Sequence, residues 1–410
     1  MASIAGLRGT GDWATDERPK NFREMILWRQ PNGMAPLTAL MAKMKKETTD
    51  DPEFAWWEEE LAPIRLQINY TTGYATTVTN LVVDGGDALD LVPGDILLAE
   101  MTDATSGTGF ADELLTVVAA GSSTALTVTR GTANTTPATL ANDSYLTKIG
   151  NAFSEGTTAP TSSTRNPTKL YNYTQIFKTT YELTNTAKET NTRTGDPKNN
   201  DKKRKMFDHS VAMEMAFLFG KRYETTGSNG KPLRYTGGLL NFLATYGSSS
   251  VDVATAMVGS TGMNLLLDTL YTVFDYNSAS GAGDERIIFA GNGALNAINK
   301  AAKASGDVTF NEVVKVYGMN FTKFVTPQGT FYIKSHPLMN VNTRFTNSAF
   351  VIDPTAMKYR PLRNRDTKFM DNIQANDADS NKGQWMSEVG VEFNHLKTMK
   401  YLGAISWSAT

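Results

Sequence analysis

The 410 residues carry 40 basic and 42 acidic side chains, three histidines and no cysteine. The missing thiol excludes a cysteine nucleophile, a thiolate zinc site and a disulfide framework, and a net charge of -2 excludes a protein that condenses nucleic acid by neutralising its phosphates. This length predicts two or three folding units, and a charged fraction of only 20% suits a surface that meets other protein.

The first 34 residues scatter Gly6, Gly9, Gly11, Pro19, Pro31 and Gly33 between charges, with Trp13 and Trp28 among them. They have too little apolar surface for a core of their own. They read as an extended arm whose tryptophans anchor on a neighbour. Neither a basic start nor an apolar core of a secretory signal is present. The longest apolar window, Val211 to Phe219, is broken by Glu214, so no membrane span is expected.

Residues 36–47 predict a short amphipathic helix, with Leu37, Leu40, Met41 and Met44 on one face and Lys43, Lys45 and Lys46 toward its C-terminal end. Trp56, Trp57, Glu58, Glu59 and Glu60 follow as the densest charge–aromatic cluster. Residues 72–167 are rich in Thr, Ser, Gly, Ala and Val, and hold ten acids against three bases, about -7, while the rest of the chain is about +5. Short β-rich runs recur there, separated by Asp84-Gly85-Gly86, Pro93-Gly94-Asp95 and Gly121-Ser122-Ser123. That spacing predicts a small antiparallel sandwich or barrel inserted into a host fold. Residues 65–74 and the Tyr- and Phe-rich run after Pro167 are expected to pair as the long hairpin that carries it.

Residues 201–223 form the clearest helix, apolar on so much of its circumference that it must be packed on several sides. Its leading run, Lys202 to Lys205, sits at the end where the helix dipole disfavours cations and calls for acidic partners or solvent. The second half reads as mixed α and β. Gly291-Asn292-Gly293 lacks the third glycine of a dinucleotide loop, because Asn296 stands there. There is no P-loop, GxSxG or HExxH sequence, and nothing in the pattern brings His209, His336 and His395 together. No enzyme activity, metal or cofactor is expected.

The run of segments resembles the major capsid protein of tailed bacteriophages with the HK97-type fold. PLTALMAKMKKETTDDPEFAWWEEEL resembles that family's N-terminal helix and the start of its E-loop. LVPGDILLAE, ELLTVVAAGSSTALTVTRG, IGNAFSEGTTAP and YNYTQIFK are similar to a branch with a β-domain in the E-loop. HSVAMEMAFLFGKRY with RYTGGLLNFL resembles the spine helix and the entry to the axial domain. IDPTAMKYRPLRNRD and SEVGVEFNHLKTMKYLGAI resemble the closing peripheral strands.

The resemblance implies an α+β fold of six parts: an arm and helix in 1–50, E-loop strands in 51–74 and 165–195, an inserted all-β domain in 75–164, a spine helix in 196–228, an axial domain in 229–345 and closing peripheral strands in 346–410. It implies a structural subunit of an icosahedral head enclosing double-stranded DNA, made in the bacterial cytoplasm and resident in the virion. Its partners would be itself, in hexamers and pentamers, then separate scaffolding, portal and decoration proteins, and packaged DNA through non-specific contact. No intersubunit crosslink is expected, because no Lys–Asn–Glu trio is marked. Candidate interface residues are Trp13, Trp28, Trp56, Trp57, Glu58, Glu59 and Glu60, with Arg360, Arg363 and Arg365 as basic partners in a loop that has no acid until Asp366. The competing reading is a β-rich tail, fibre or surface-layer adhesion protein with residues 72–167 as its binding module; the long apolar helix in mid-chain argues against a fibre.

Overall fold

The computed structural model describes residues 46–409 apart from 60–63, 85–86, 101–112, 161, 163, 165, 191, 193–194, 248–250, 253–255, 276–284, 307–312 and 317–318. Trp13, Trp28, Glu60 and nearly all of the helix expected at 36–47 lie outside the described residues. At its end, Lys46 and Thr49 bridge to Tyr359 and Leu362 as extended chain. The chain divides into two compact units, one formed by residues up to Trp56 with Leu170–Thr410, the other by Trp57–Lys169.

Strand β1 (Glu53–Glu58) leads from the first unit toward the second. The second unit holds β2 (Arg65–Gln67), β3 (Asn80–Val82), β4 (Asp95–Glu100), β5 (Glu113–Ala120), β6 (Ala125–Thr132) and β7 (Tyr145–Asn151). Their order is β2-β7-β4-β5-β6-β3. An antiparallel bridge between Ile68 and Val83 joins the two ends, with Asn69 N donating to Val82 O and Asp84 N to Gln67 O, both at 2.9 Å. The sheet therefore closes into a barrel, which removes the exposed edges an open sheet of this size would carry. Alternate residues fill it: Leu66, Ile68, Leu81, Leu97, Leu115, Val117, Leu126, Val128 and Leu146 are all buried. Glu113 is buried there too, paired with Arg130 at 2.6 Å.

The first unit resumes with β8 (Thr168–Tyr173), which pairs with β1, and β9 (Gln175–Thr184). After helix α1 (Asn185–Glu189) comes α2 (Pro197–Phe219), capped by Asp196, whose carboxylate accepts from Lys198 N, with Pro197 at the first helical position. The lysines near its start find partners: Lys198 pairs with Asp371 at 2.8 Å and Lys202 lies 3.9 Å over the Phe369 ring. The helix stops at Gly220 rather than running on through 223. There the chain turns extended, and a side chain would lie 2.4 Å from Ala216 O and 2.6 Å from Thr236 O. A hairpin of β10 (Tyr223–Thr226) and β11 (Pro232–Tyr235) follows, then α3 (Leu239–Tyr246).

Next come β12 (Val251–Asp252), β13 (Ala256–Val258), α4 (Gly262–Leu270), β14 (Glu285–Ala290), α5 (Asn292–Ser305), β15 (Val313–Val316), β16 (Met319–Thr326) and β17 (Gly329–Ser335). The chain closes with α6 (Thr343–Thr346), β18 (Ala349–Ile352), β19 (Met357–Pro361), β20 (Lys368–Met370), β21 (Ser380–Phe393), β22 (Lys400–Leu402) and β23 (Ser406–Ser408). A seven-stranded mixed sheet runs β12-β22-β18-β14-β17-β16-β15. On β14, Ile287 and Phe289 enter the core shared with α2 and α3, whereas Ile288 and Ala290 enter the core shared with α4 and α5. A strand covered on both faces needs this unbroken apolar run.

A second sheet is built on the 14-residue β21, which pairs with β9, β19 and β20. Gly390 of β21 lets the Phe54 ring of β1 sit where a side chain would be, 2.6 Å away.

The fold is α+β with an all-β unit, and one expected pairing is corrected. Residues 65–74 do not pair with the run after Pro167: β2 belongs to the barrel, β8 pairs instead with β1, and β9 pairs with β21. Leu66 fills the barrel core while Phe177 and Tyr181 are buried in the other unit, a distinction that alternation along either strand leaves open. The strands of residues 346–410 divide among sheets: β19, β20 and β21 belong to the second sheet and β23 pairs with β13. β18 and β22 enter the seven-stranded sheet, where Val351 and Leu402 are buried against α4 and α5.

Candidate subunit interface

On β1 successive side chains point to opposite faces. Phe54 and Trp56 turn inward: Trp56 is 8% exposed, its ring centroid 5.8 Å from Phe242. Trp57 is 64% exposed. The paired tryptophans therefore divide into one core residue and one surface residue, and the expectation that Trp56 forms an interface gives way to its burial. Glu58 is half-buried at the strand end and Glu59 is exposed.

The three arginines of the basic loop do not face one another unopposed, as the run without acids had implied. Arg360 bonds Glu392 of β21 and lies 2.9 Å from Glu47. Lys358 completes the set, 3.0 Å from Glu392 and 3.2 Å from Glu47. Arg365 bonds Glu388. These acids come from segments remote in sequence: β21 runs antiparallel beside β19 and brings Glu388 and Glu392, and the parallel bridge of Lys46 to Tyr359 brings Glu47. Burial pushes the Glu47 carboxyl up, but the Lys358 hydrogen bond and the charges of Arg360 and Lys358 outweigh it and hold it below its usual range. Burial likewise depresses Lys358, and its bonds to Glu392 and Glu47 reverse the sign and raise it. Arg363 differs: its side chain is 72% exposed and its contact with Asp50, itself 79% exposed, is 3.5 Å long. It is the most exposed member of the trio, against 42% for Arg365 and 11% for Arg360.

β10 and β11 form a two-stranded antiparallel hairpin. Tyr223 faces Tyr235 and Thr225 faces Leu233 across it, so one side carries Tyr223, Tyr235 and Leu233, all exposed. The other side carries the Glu224–Arg234 pair at 3.1 Å. Its base is held by Arg222, which donates to Tyr171 O at 2.7 Å and to the Tyr246 hydroxyl at 2.8 Å. A lone two-stranded hairpin is marginal in water, and a tyrosine-rich face on one is a contact surface in search of cover. The signal was available as Gly227-Ser228-Asn229-Gly230 between two alternating runs.

Among the described residues no three His, Asp or Glu side chains converge on a point where a metal could sit. The buried histidines serve packing. His209 bonds Thr179 at 3.1 Å and Ser387 at 2.7 Å, and His336 meets Glu214 at 2.7 Å.

Among the described residues the surface thus carries exposed aromatic and charged side chains outside three buried cores. The sequence model of the SU10 major capsid protein family matches residues 7–404. The chain belongs to the SU10 major capsid protein family. It is a phage capsid subunit, a structural protein and not an enzyme. A major capsid protein of Pseudomonas phage PaMx41 is 28% identical to it over 371 residues, covering 90% of this chain and 84% of the relative. Solved structures similar to this capsid protein include the capsid of an empty GTA particle (9% identity, TM-score 0.47, 95% of this chain and 96% of that one). Others are Mycobacterium phage Bobi (8%, 0.44, 96% and 96%) and the capsid of Myoviridae phage XM1 (8%, 0.44, 94% and 96%). Family membership sets aside the reading as a fibre or surface-layer adhesion protein. Among the described residues no helix is long and apolar enough to cross a membrane.

Proposed function

We propose that this capsid subunit closes an icosahedral head around double-stranded DNA, with an HK97-type arrangement in which α2 is the spine helix and the barrel of residues 57–169 is carried in the E-loop. The observation that carries the reading is the hairpin of β10 and β11, whose exposed Tyr223, Leu233 and Tyr235 need a neighbouring copy to cover them. Trp57 offers a second apolar anchor, and residues 1–50 with Trp13 and Trp28 reach onto neighbours. Glu58, Glu59 and Glu60 meet basic side chains of other copies, Arg363 foremost. Arg360 and Arg365 act instead within their own chain. A near-zero net charge suits a shell filled by a motor, with DNA touching the inner face non-specifically. Scaffolding, portal and decoration partners are separate chains, and synthesis is in the host cytoplasm.

Negative-stain microscopy of the purified protein tests this reading. Closed shells or capsomer rings support it; rods alone, or small discrete particles at every concentration and salt, contradict it.

A further inference from the structure

One end of the barrel carries an arrangement outside the contact residues proposed above. The turn Tyr70–Gly73 is closed by Gly73 N donating to Tyr70 O at 2.8 Å. The Tyr70 ring stacks on Tyr74 with centroids 4.6 Å apart and planes 14° from parallel. Tyr74 is buried and locked, its hydroxyl accepting from Val82 N at 2.8 Å, while Tyr70 is 47% exposed. The stack makes a flat aromatic surface that cannot collapse inward. Two amide–carboxylate pairs flank it. Asn69 donates to Asp84. Asn142 accepts from Tyr70 N at 2.8 Å and donates to Asp143 at 2.9 Å. Gln67 ties the second pair down by donating to Asp143 O at 3.2 Å. Each carboxylate gives one oxygen to its carboxamide, and an ionised carboxylate has about four acceptor sites.

We propose that this end of the barrel binds a neutral hexopyranose unit of a glycan. A pyranose ring has an apolar face of C–H groups, slightly positive, which matches the negative face of a fixed tyrosine. Its hydroxyls come in adjacent pairs that donate to carboxylates and accept from carboxamides, the groups that Asp84, Asn69, Asp143 and Asn142 supply in fixed positions. The charge selects among sugars. The unit from Trp57 to Lys169 has 13 acids and five bases, and Arg65, Arg130 and Lys148 are each taken by an acid of the same barrel. Uronic and sialic acids are therefore repelled, and neutral hexoses are accepted.

Saturation-transfer NMR on the full-length protein, as purified subunits and as assembled particles, tests the site with methyl glucoside, methyl galactoside and glucuronic acid. The expected result is transfer to ring C–H protons of at least one neutral glycoside, in subunits or particles, and none to glucuronic acid. Tyr70→Phe should keep the signal, because the ring face remains. Tyr70→Ala should abolish it, and Asp84→Asn combined with Asp143→Asn should weaken it, with the barrel's circular dichroism unchanged. No transfer from either neutral glycoside, equal transfer from glucuronic acid, or a signal unaltered in Tyr70→Ala would overturn the proposal.

Discussion

Glu214 of α2 and His336, at the end of β17, face each other across 2.7 Å with both side chains fully buried. The contact ties the central helix to the seven-stranded sheet at a point where water cannot replace a lost partner. Glu214→Leu keeps the volume and leaves His336 without its acceptor, which costs about 1–3 kcal/mol. Glu214→Gln, which still offers an oxygen, should cost less. Urea unfolding of subunits held below their assembly concentration reads the difference; equal midpoints for the two variants would show that packing alone matters there.

A second histidine makes stability depend on pH. Burial lowers the pKa of His209 below its ordinary value of 6.5, because the charged ring would lose water without gaining an anion. The fold therefore favours the neutral form. Its contribution is fully present above about pH 6.5 and is lost as pH falls through the unfolded value toward the lower folded one. Urea midpoints should fall between pH 7 and pH 5, and His209→Gln should flatten that slope. An unchanged slope in the variant would assign the loss to other groups.

The barrel rests on a buried ion pair. Burial pushes the Glu113 carboxyl up, but Arg130 and the backbone N–H groups of Ala138 and Gly131 outweigh it and hold it below the usual range. Glu113→Ala leaves the buried Arg130 charge without its carboxylate, held only by the carbonyls of Ala75, Val78 and Ala138, a loss of about 3–5 kcal/mol. Residues 57–169 expressed alone should melt cooperatively with a β-type circular dichroism spectrum, and the variant should lose that transition. A random-coil spectrum for the wild-type segment would contradict an independent barrel.

The exposed charges separate folding from assembly. Arg363→Glu should leave the subunit's melting temperature within about 1–2 °C, since an exposed pair is worth about 0–1 kcal/mol, yet slow assembly. Glu59→Lys should do the same, and the double reversal should restore part of the rate. Arg360→Glu should instead destabilise the subunit itself, because it sets a second negative charge against Glu392. Light scattering at low and high salt follows the rates, and normal assembly of both surface single mutants would remove the pairing.

Local pattern carried some elements further than others. The apolar circumference of α2 and the evenly spaced turns of the barrel were legible, because each is written in neighbouring residues. Strand partners were not. β2 and β9 alternate in the same way, and only the closure of the barrel through Ile68 and Val83 tells which core each one joins. The arginine run looked unopposed for the same reason: Glu388 and Glu392 lie more than 20 residues along the chain from the arginines they neutralise. The split between Trp56 and Trp57 could have been read from strand periodicity alone.

In the proposed shell, exposed apolar side chains of this subunit become buried between copies. A cryo-microscopy reconstruction of shells assembled from the purified protein tests it most directly. Closed particles are expected in which Tyr223, Leu233 and Tyr235 of the hairpin, with Trp57, lie against a neighbouring copy. Closed shells that leave all four in solvent, or a protein that forms no shell, would contradict it.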